Sequence, residues 1–177
     1  MIDKKRVDEA KGNFDTYLRE GLLNKDKNEA AFSTYLKNSE LSLRVAEKLM
    51  EDNELKSWLW VVVISYYSMF YIANAVLLNL GYKISDKIVH KVTMDSLIVL
   101  VLPRLKKELI EEYEKIQEDA LEIALAKAEN IIENYDYELG KRSKFQYEMS
   151  EEIKKQKART SLDRAKEFVF EMRKLIK

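Results

Sequence analysis

The feature that most constrains this chain is a long uncharged run in its middle, from Ser57 to Tyr82, which reads SWLWVVVISYYSMFYIANAVLLNLGY. A helix that is apolar on every side lies either in a protein core or in a membrane, and about 20 such residues suffice to cross a bilayer. Serine, asparagine and tyrosine side chains interrupt the run, and each would need a polar partner in lipid. We therefore expect the run to form the buried central helix of a soluble protein, with a single membrane span as the alternative.

The segments on both sides of this run have the pattern of amphipathic helices. Apolar side chains recur every three or four residues, and charged residues fill the remaining faces. Only four glycines and one proline are present, so the chain has few residues with which to build hairpins. Helices are predicted over residues 3–24, 28–50, 54–80, 85–102, 104–134 and from 150 to the C-terminus. The fold class is therefore all-α, a single-domain, up-and-down bundle of four to six helices.

Several helix ends and inward positions follow from local residue types. Ser85 or Asp86 is expected to cap the helix that precedes Pro103, and Pro103 itself suits the start of the next helix. Ser150 is expected to cap the last helix, with acidic residues favourable in its first turn. That helix should turn Ile153 and its later apolar residues inward.

Residue types exclude several chemistries. The chain has no cysteine, which removes disulfides, thiolate zinc sites and cysteine nucleophiles. Its single histidine, His90, follows Lys87 by three positions where a di-iron bundle needs a glutamate, and one histidine makes structural zinc a poor fit. No glycine-rich phosphate loop is present, and we expect neither a metal nor another cofactor. Lys plus Arg and Asp plus Glu are both 31, so no global basic field exists for nucleic acid. No apolar stretch follows the basic residues at the N-terminus, and we expect a cytoplasmic protein.

Two stretches carry a resemblance to a known family. Residues 65–92 contain paired tyrosines, a Met-Phe step, small residues, aliphatics, a glycine and then a histidine followed by a basic residue. These are Tyr66, Tyr67, Met69, Phe70, Ala73, Ala75, Leu77, Leu78, Gly81, His90 and Lys91. Residues 142–147, RSKFQY, form an Arg-x4-Tyr motif ahead of the capped C-terminal helix. Together these stretches resemble the HEPN family of small helical bundles over roughly residues 35–177, and residues 1–34 then form an N-terminal helical extension.

The resemblance implies a set of functional expectations. HEPN proteins that cleave RNA are similar in an Arg-x4–6-His motif near a dimer interface, and they are metal-independent endoribonucleases. Here Tyr147 stands where that histidine would be, and an unperturbed tyrosine, with a pKa of about 10, is a poor base near neutral pH. The resemblance therefore implies a homodimer that binds nucleotide or RNA phosphate, as the HEPN half of a toxin–antitoxin pair whose partner is a minimal nucleotidyltransferase. The missing imidazole weakens the expectation of RNA cleavage.

The Arg-x4-Tyr motif supplies the first group of candidate site residues. Arg142 and Tyr147 are the catalytic candidates, and Lys141, Arg142 and Lys144 are candidates for contact with phosphate. A guanidinium can bind a phosphate through two parallel hydrogen bonds. The alternative is structural, with Arg142 in a solvated loop or a surface ion pair and Tyr147 closing the bundle.

The uncharged helix and the loop after it supply the second group. Tyr67, Tyr71 and Asn74 lie within about 60° of one another on a helix, so they form a polar stripe that could meet Arg142. His90 and Lys91 are further ligand-binding candidates, which together with Tyr67 and Asn74 could complete a phosphate site. The alternatives are an internal hydrogen-bond network for the stripe and a capping or structural role for His90.

A second class of function also stays open. The bundle could be a non-catalytic protein–protein interaction module that binds no nucleotide. The clustered aromatic residues between positions 58 and 71 are expected to be mostly core, with one or two of them at a dimer interface, where Trp and Tyr are enriched.

Overall fold

The computed structural model describes residues 2–133 and 150–176, with the backbone alone described over 126–133. Six α-helices, a short 3-10 helix and two short strands make up the described part. They are α1 (Lys4–Arg19), β1 (Leu23–Lys25), α2 (Glu29–Glu51), α3 (Trp58–Asn79), β2 (Tyr82–Ile84), α4 (Val89–Leu100), the 3-10 helix (Leu102–Arg104), α5 (Lys107–Glu133) and α6 (Glu151–Arg173). The prediction of an all-α bundle is confirmed.

Helix α3 is the central element, as the uncharged run predicts. α2, α4, α5 and α6 all pack against it, and most of its side chains, including Val61, Val62, Met69, Ile72 and Val76, are fully buried. Within the described residues, α3 is the one helix whose length and hydropathy would allow a membrane span, but 83% of its most apolar window is buried inside the fold. The other helices therefore find the apolar partner they need in α3 rather than in lipid.

Helix α2 packs along α3, and fully buried small residues lie on both helices, including Ala46 of α2 and Ala75 of α3. Ser39 of α2 donates its hydroxyl to the carbonyl oxygen of Ser68 at 2.8 Å, which satisfies a buried polar group across the helix pair. The contact orients the two helices without placing a charge in the core.

The N-terminal segment is joined to the rest of the fold through strand β1, through helix α1 and through the backbone nitrogen of Ile2, which donates to Glu111 of α5 at 2.6 Å. Strand β1 pairs antiparallel with β2, with Leu23 opposite Ile84. Helix α1 packs on α4, where the fully buried Asp95 binds Arg6 at 2.7 Å, the Asn13 amide at 2.9 Å and the Tyr17 hydroxyl at 2.8 Å.

Helix boundaries differ from the sequence prediction where local signals compete with tertiary structure. Helix α4 begins after Ile88, which has a left-handed backbone (φ 42°, ψ 36°) and no side-chain cap, so Ser85 and Asp86 are not its caps. Pro103 lies in the 3-10 helix, and α5 begins at Lys107 rather than directly after the proline. Residues 20–24 lie outside α1, contrary to the predicted first helix, because Gly21 has a positive φ of 70°, which turns the chain into β1.

Of the two predictions for the start of the last helix, one is confirmed and one is wrong. Ser150 caps α6, and its side chain accepts from the backbone nitrogen of Ile153. The expected inward orientation of Ile153 is wrong, since 49% of this residue is exposed, whereas Leu162, Phe168 and Met172 are buried as expected. Ile153 lies only two residues into the helix, before the α6 surface that packs on α3.

Candidate functional site

Among the described residues, no helix covers one side of α3. The partly exposed residues Trp60, Ile64, Tyr67 and Tyr71 follow one another at spacings of four, three and four, so they share one helical face. We call these four residues the α3 aromatic face. The Tyr67 and Tyr71 rings lie 6.1 Å apart, and Tyr71 in turn stacks near Tyr35 of α2 with ring centroids 6.4 Å apart.

The predicted common face of Tyr67 and Tyr71 is therefore confirmed, and so is the expectation that the clustered aromatics are mostly core, with Trp60 as the exposed one. Trp60 is 45% exposed, whereas Trp58 is buried. A rotation of two residues along a helix places a side chain nearly on the opposite side, so neighbouring tryptophans have different environments.

His90 flanks the α3 aromatic face from the first turn of α4. Its Nδ1 is hydrogen-bonded to the Tyr66 hydroxyl at 2.6 Å. Three aromatic rings surround the imidazole, with centroid distances of 4.9 Å to Phe70, 5.6 Å to Tyr66 and 6.4 Å to Tyr67. His90 itself is half-buried, and the next residue, Lys91, is exposed. One imidazole, three rings and one solvated cation thus lie together.

Behind His90 the aromatic contacts continue into the core. The fully buried Tyr113 of α5 places its ring 5.8 Å from that of Tyr66. The Tyr113 hydroxyl makes no hydrogen bond with any described partner. Burial raises the pKa of Tyr66, and the contact with Tyr113 opposes that rise only in part. Burial also raises the pKa of Tyr113 and lowers the pKa of His90. All three groups are therefore neutral near pH 7.

Asn74 continues the same side of α3, three positions beyond Tyr71, but it is covered where the aromatic face is open. The residue is only 4% exposed, and its amide nitrogen donates to the Phe70 carbonyl at 2.8 Å and to the Thr93 hydroxyl at 3.4 Å. Thr93 also donates to the Val89 carbonyl at 2.7 Å. This is the internal network that stands as the structural alternative for Asn74, and it connects α3 to α4.

Four of the predicted site residues lie outside the described part of the chain. They are Lys141, Arg142, Lys144 and Tyr147. Of the other four candidates, Tyr67, His90 and Lys91 lie at one side of α3, and Asn74 is buried farther along the same side. Sequence reasoning did not connect His90 to Tyr66 or Tyr113. The available signal was the inward position of Tyr113 on amphipathic α5, because a buried tyrosine hydroxyl usually has a polar partner.

A surface groove between α2 and α6 is lined by charges of both signs. Lys166 pairs with Glu47 at 2.9 Å, and Lys155 donates to Asn53 at 3.0 Å, with Asp163 and Arg159 also at the groove. This balance gives the groove no preference for an anion. Among the described residues, no group of His, Asp and Glu side chains is arranged to hold a metal ion.

Comparison of the chain with protein-family models, with curated proteins and with solved structures finds no significant match.

Proposed function

We propose that this chain is a cytoplasmic, homodimeric HEPN-type bundle that binds nucleotide or RNA phosphate. The observation that carries the proposal is the arrangement around His90, where an oriented imidazole and the exposed Lys91 adjoin half-exposed aromatic rings. Aromatic rings stack on bases of any sequence, and cations beside them contact the phosphates. The zero net charge is compatible with such a site because the cations need only be local.

The Arg-x4-Tyr motif contributes the remaining cations of the proposed site. Lys141, Arg142 and Lys144 would bind phosphate, and Arg142 would stabilise negative charge on phosphorus if the protein cleaves RNA. Tyr147 would hydrogen-bond to or stack on the ligand rather than accept its proton. The resemblance further places the chain in a toxin–antitoxin pair with a minimal nucleotidyltransferase. Under this proposal the chain binds RNA or nucleotide phosphate, whereas the expectation of metal-independent RNA cleavage is the weaker of the two.

The test is titration of the protein with a short single-stranded RNA at low salt, where phosphate contacts are strongest. Arg142→Ala should weaken binding by roughly ten-fold or more, because a hydrogen bond to a charged group contributes about 1.5–3 kcal/mol. Arg104→Ala is the matched control, since it removes the same charge from an exposed position at the end of the 3-10 helix. Equal affinities of the two variants would remove Arg142 from the site.

The second candidate function is a protein–protein interaction module without nucleotide binding. The observation that favours it is the set of large apolar side chains in solvent, with Trp60 45%, Leu41 54% and Val45 37% exposed on α3 and α2. Exposed aromatic anchors are typical of protein interfaces. Trp60→Glu should abolish self-association in sedimentation equilibrium if these side chains form an interface. Under this alternative, neither nucleotides nor RNA bind at low salt.

A further inference from the structure

The hydrogen bond between Tyr66 and His90 can run in either of two directions. At 2.6 Å, either the phenol donates to Nδ1 or the imidazole donates from Nδ1 to the phenol oxygen. A neutral imidazole carries one proton, so the choice fixes the other ring nitrogen as well. If Nδ1 accepts, Nε2 carries the proton and is a donor. If Nδ1 donates, Nε2 is an acceptor.

The surroundings of Tyr66 favour the direction in which the phenol donates. If His90 donated to Tyr66, the phenol proton would have to turn elsewhere, and Tyr66 is fully buried with no hydrogen bond to any other described residue. That proton would then lie in the core without an acceptor among the described residues, and a buried donor without an acceptor is costly. In the opposite direction the Tyr66 proton is used, because the phenol donates it to His90 Nδ1 at 2.6 Å.

We propose that Tyr66 holds His90 with its proton on Nε2, and that this N–H donates to a phosphoryl oxygen of a nucleotide bound at the α3 aromatic face beside Lys91. Tyr66 is a positioning residue, because it acts through His90. The assignment of the ligand rests on the proposed function, whereas the position of the ring proton does not. Among the described residues, His90 has a hydrogen bond at Nδ1 alone, and we assign Nε2 to the ligand.

This assignment gives His90 a different role from that of a general base. With its proton on Nε2, the imidazole offers a donor when neutral and still offers a donor when protonated. A phosphate contact made by this nitrogen therefore persists above the pH at which His90 titrates. A base at the same position would instead require Nε2 to be unprotonated.

The first experiment reads the ring proton directly and needs no ligand. His90 is the single histidine, so long-range proton–nitrogen correlations through its ring C–H groups need no assignment. At pH 7.5 the wild type should show the pattern of a proton on Nε2, and Tyr66→Phe should shift the ring toward a mixture of both forms. A wild-type spectrum with the proton mainly on Nδ1 overturns the proposal, whatever the stability of the variant.

The second experiment titrates AMP and inorganic phosphate into the same labelled protein. AMP should shift the Nε2 resonance more than Nδ1. His90→Ala should weaken AMP binding by roughly ten- to hundred-fold, as expected for a lost hydrogen bond to a charged group. His90→Gln should recover part of that loss, because its amide N–H reaches the place of Nε2, whereas His90→Asn should not.

The outcomes separate the two parts of the inference. AMP binding with unchanged affinity in His90→Ala would remove the phosphate contact of His90 while leaving the proposed function intact. Absence of AMP, phosphate and RNA binding would overturn both the ligand assignment and the proposed function, with the ring proton on Nε2 still standing. Equal recovery of AMP affinity in His90→Gln and His90→Asn would contradict a donor at the position of Nε2.

Discussion

The buried Asp95 network offers the sharpest test of what attaches the N-terminal helix to the bundle. Asp95 is fully buried on α4, and its three described partners, Arg6, Asn13 and Tyr17, all come from α1. The Arg6 side chain is 23% exposed and also lies 3.8 Å from Glu114 of α5. Arg6→Met keeps the aliphatic stem of this side chain but leaves the Asp95 carboxylate buried without its cation.

The expected decrease in the free energy of unfolding of Arg6→Met follows from that geometry. Removing one partner of a buried ion pair typically costs about 3–5 kcal/mol, because the remaining charge is uncompensated. Two neutral donors still bind Asp95, and the pair is open to water on the arginine side, so we expect a value near the lower end, about 3 kcal/mol. Lys11→Met is the matched control, since Lys11 of α1 is 61% exposed and reaches Asp8 only at 4.0 Å. Such a surface change should stay within about 0.5 kcal/mol.

Urea unfolding followed by circular dichroism gives the free energy of unfolding for each variant. A double-mutant cycle with Asp95→Asn isolates the charge pair. The double variant should cost less than the sum of the single variants by about 2 kcal/mol, within the range seen for residues in direct contact. If Arg6→Met is no more destabilising than Lys11→Met, the ion pair does not hold α1 on α4 and the reasoning fails.

Three further predictions concern other parts of the fold. Burial lowers the pKa of His90 below the usual 6.5, so the unfolded chain takes up a proton before the folded one as the pH falls. The free energy of unfolding should therefore be at its full value above about pH 7 and should decrease as the pH falls through 6.5. His90→Gln should remove that decrease, measured by urea unfolding at a series of pH values. Trp58→Ala should cost about 3–5 kcal/mol because Trp58 is buried, whereas Trp60→Ala, on the exposed side of the same helix, should cost about 1 kcal/mol or less; equal costs would contradict the assignment of the open face. Ile88 has a left-handed backbone and is 55% exposed, so Ile88→Gly should raise the free energy of unfolding by about 0.5–1 kcal/mol through relief of strain, while Ile88→Ala, which keeps the strained conformation, should not.

The sequence predicts the bundle because its strongest signals are local and regular. The uncharged run identifies α3, and the three- and four-residue spacing identifies the helices that pack on it. Ser150 identifies the start of α6 because a cap needs only the residues beside it. The pairing of β1 with β2 has no comparable signal, since each strand has three residues and their meeting depends on where α1 and α3 end.

The candidate site likewise contains one contact that the sequence predicts and others that it does not. The adjacency of Tyr67 and Tyr71 follows from helical spacing alone. The contact between His90 and Tyr66 does not, because it depends on the return of the chain from β2 and on the unusual backbone of Ile88. Tyr113 belongs to a helix still farther along the chain, so its part in the site is a tertiary property.

Helix α4 connects these observations, because polar contacts fix it on several sides. His90 binds Tyr66 of α3, Thr93 meets Asn74 of α3, and Asp95 binds α1 through Arg6. Asp95 follows His90 by five positions, so the two side chains leave the helix in directions about 140° apart. A rotation of α4 that relaxed one contact would therefore strain the other. The segment that the resemblance treats as an extension thus helps to hold the imidazole in place, and loss of the Asp95 ion pair should loosen the site as well as the fold.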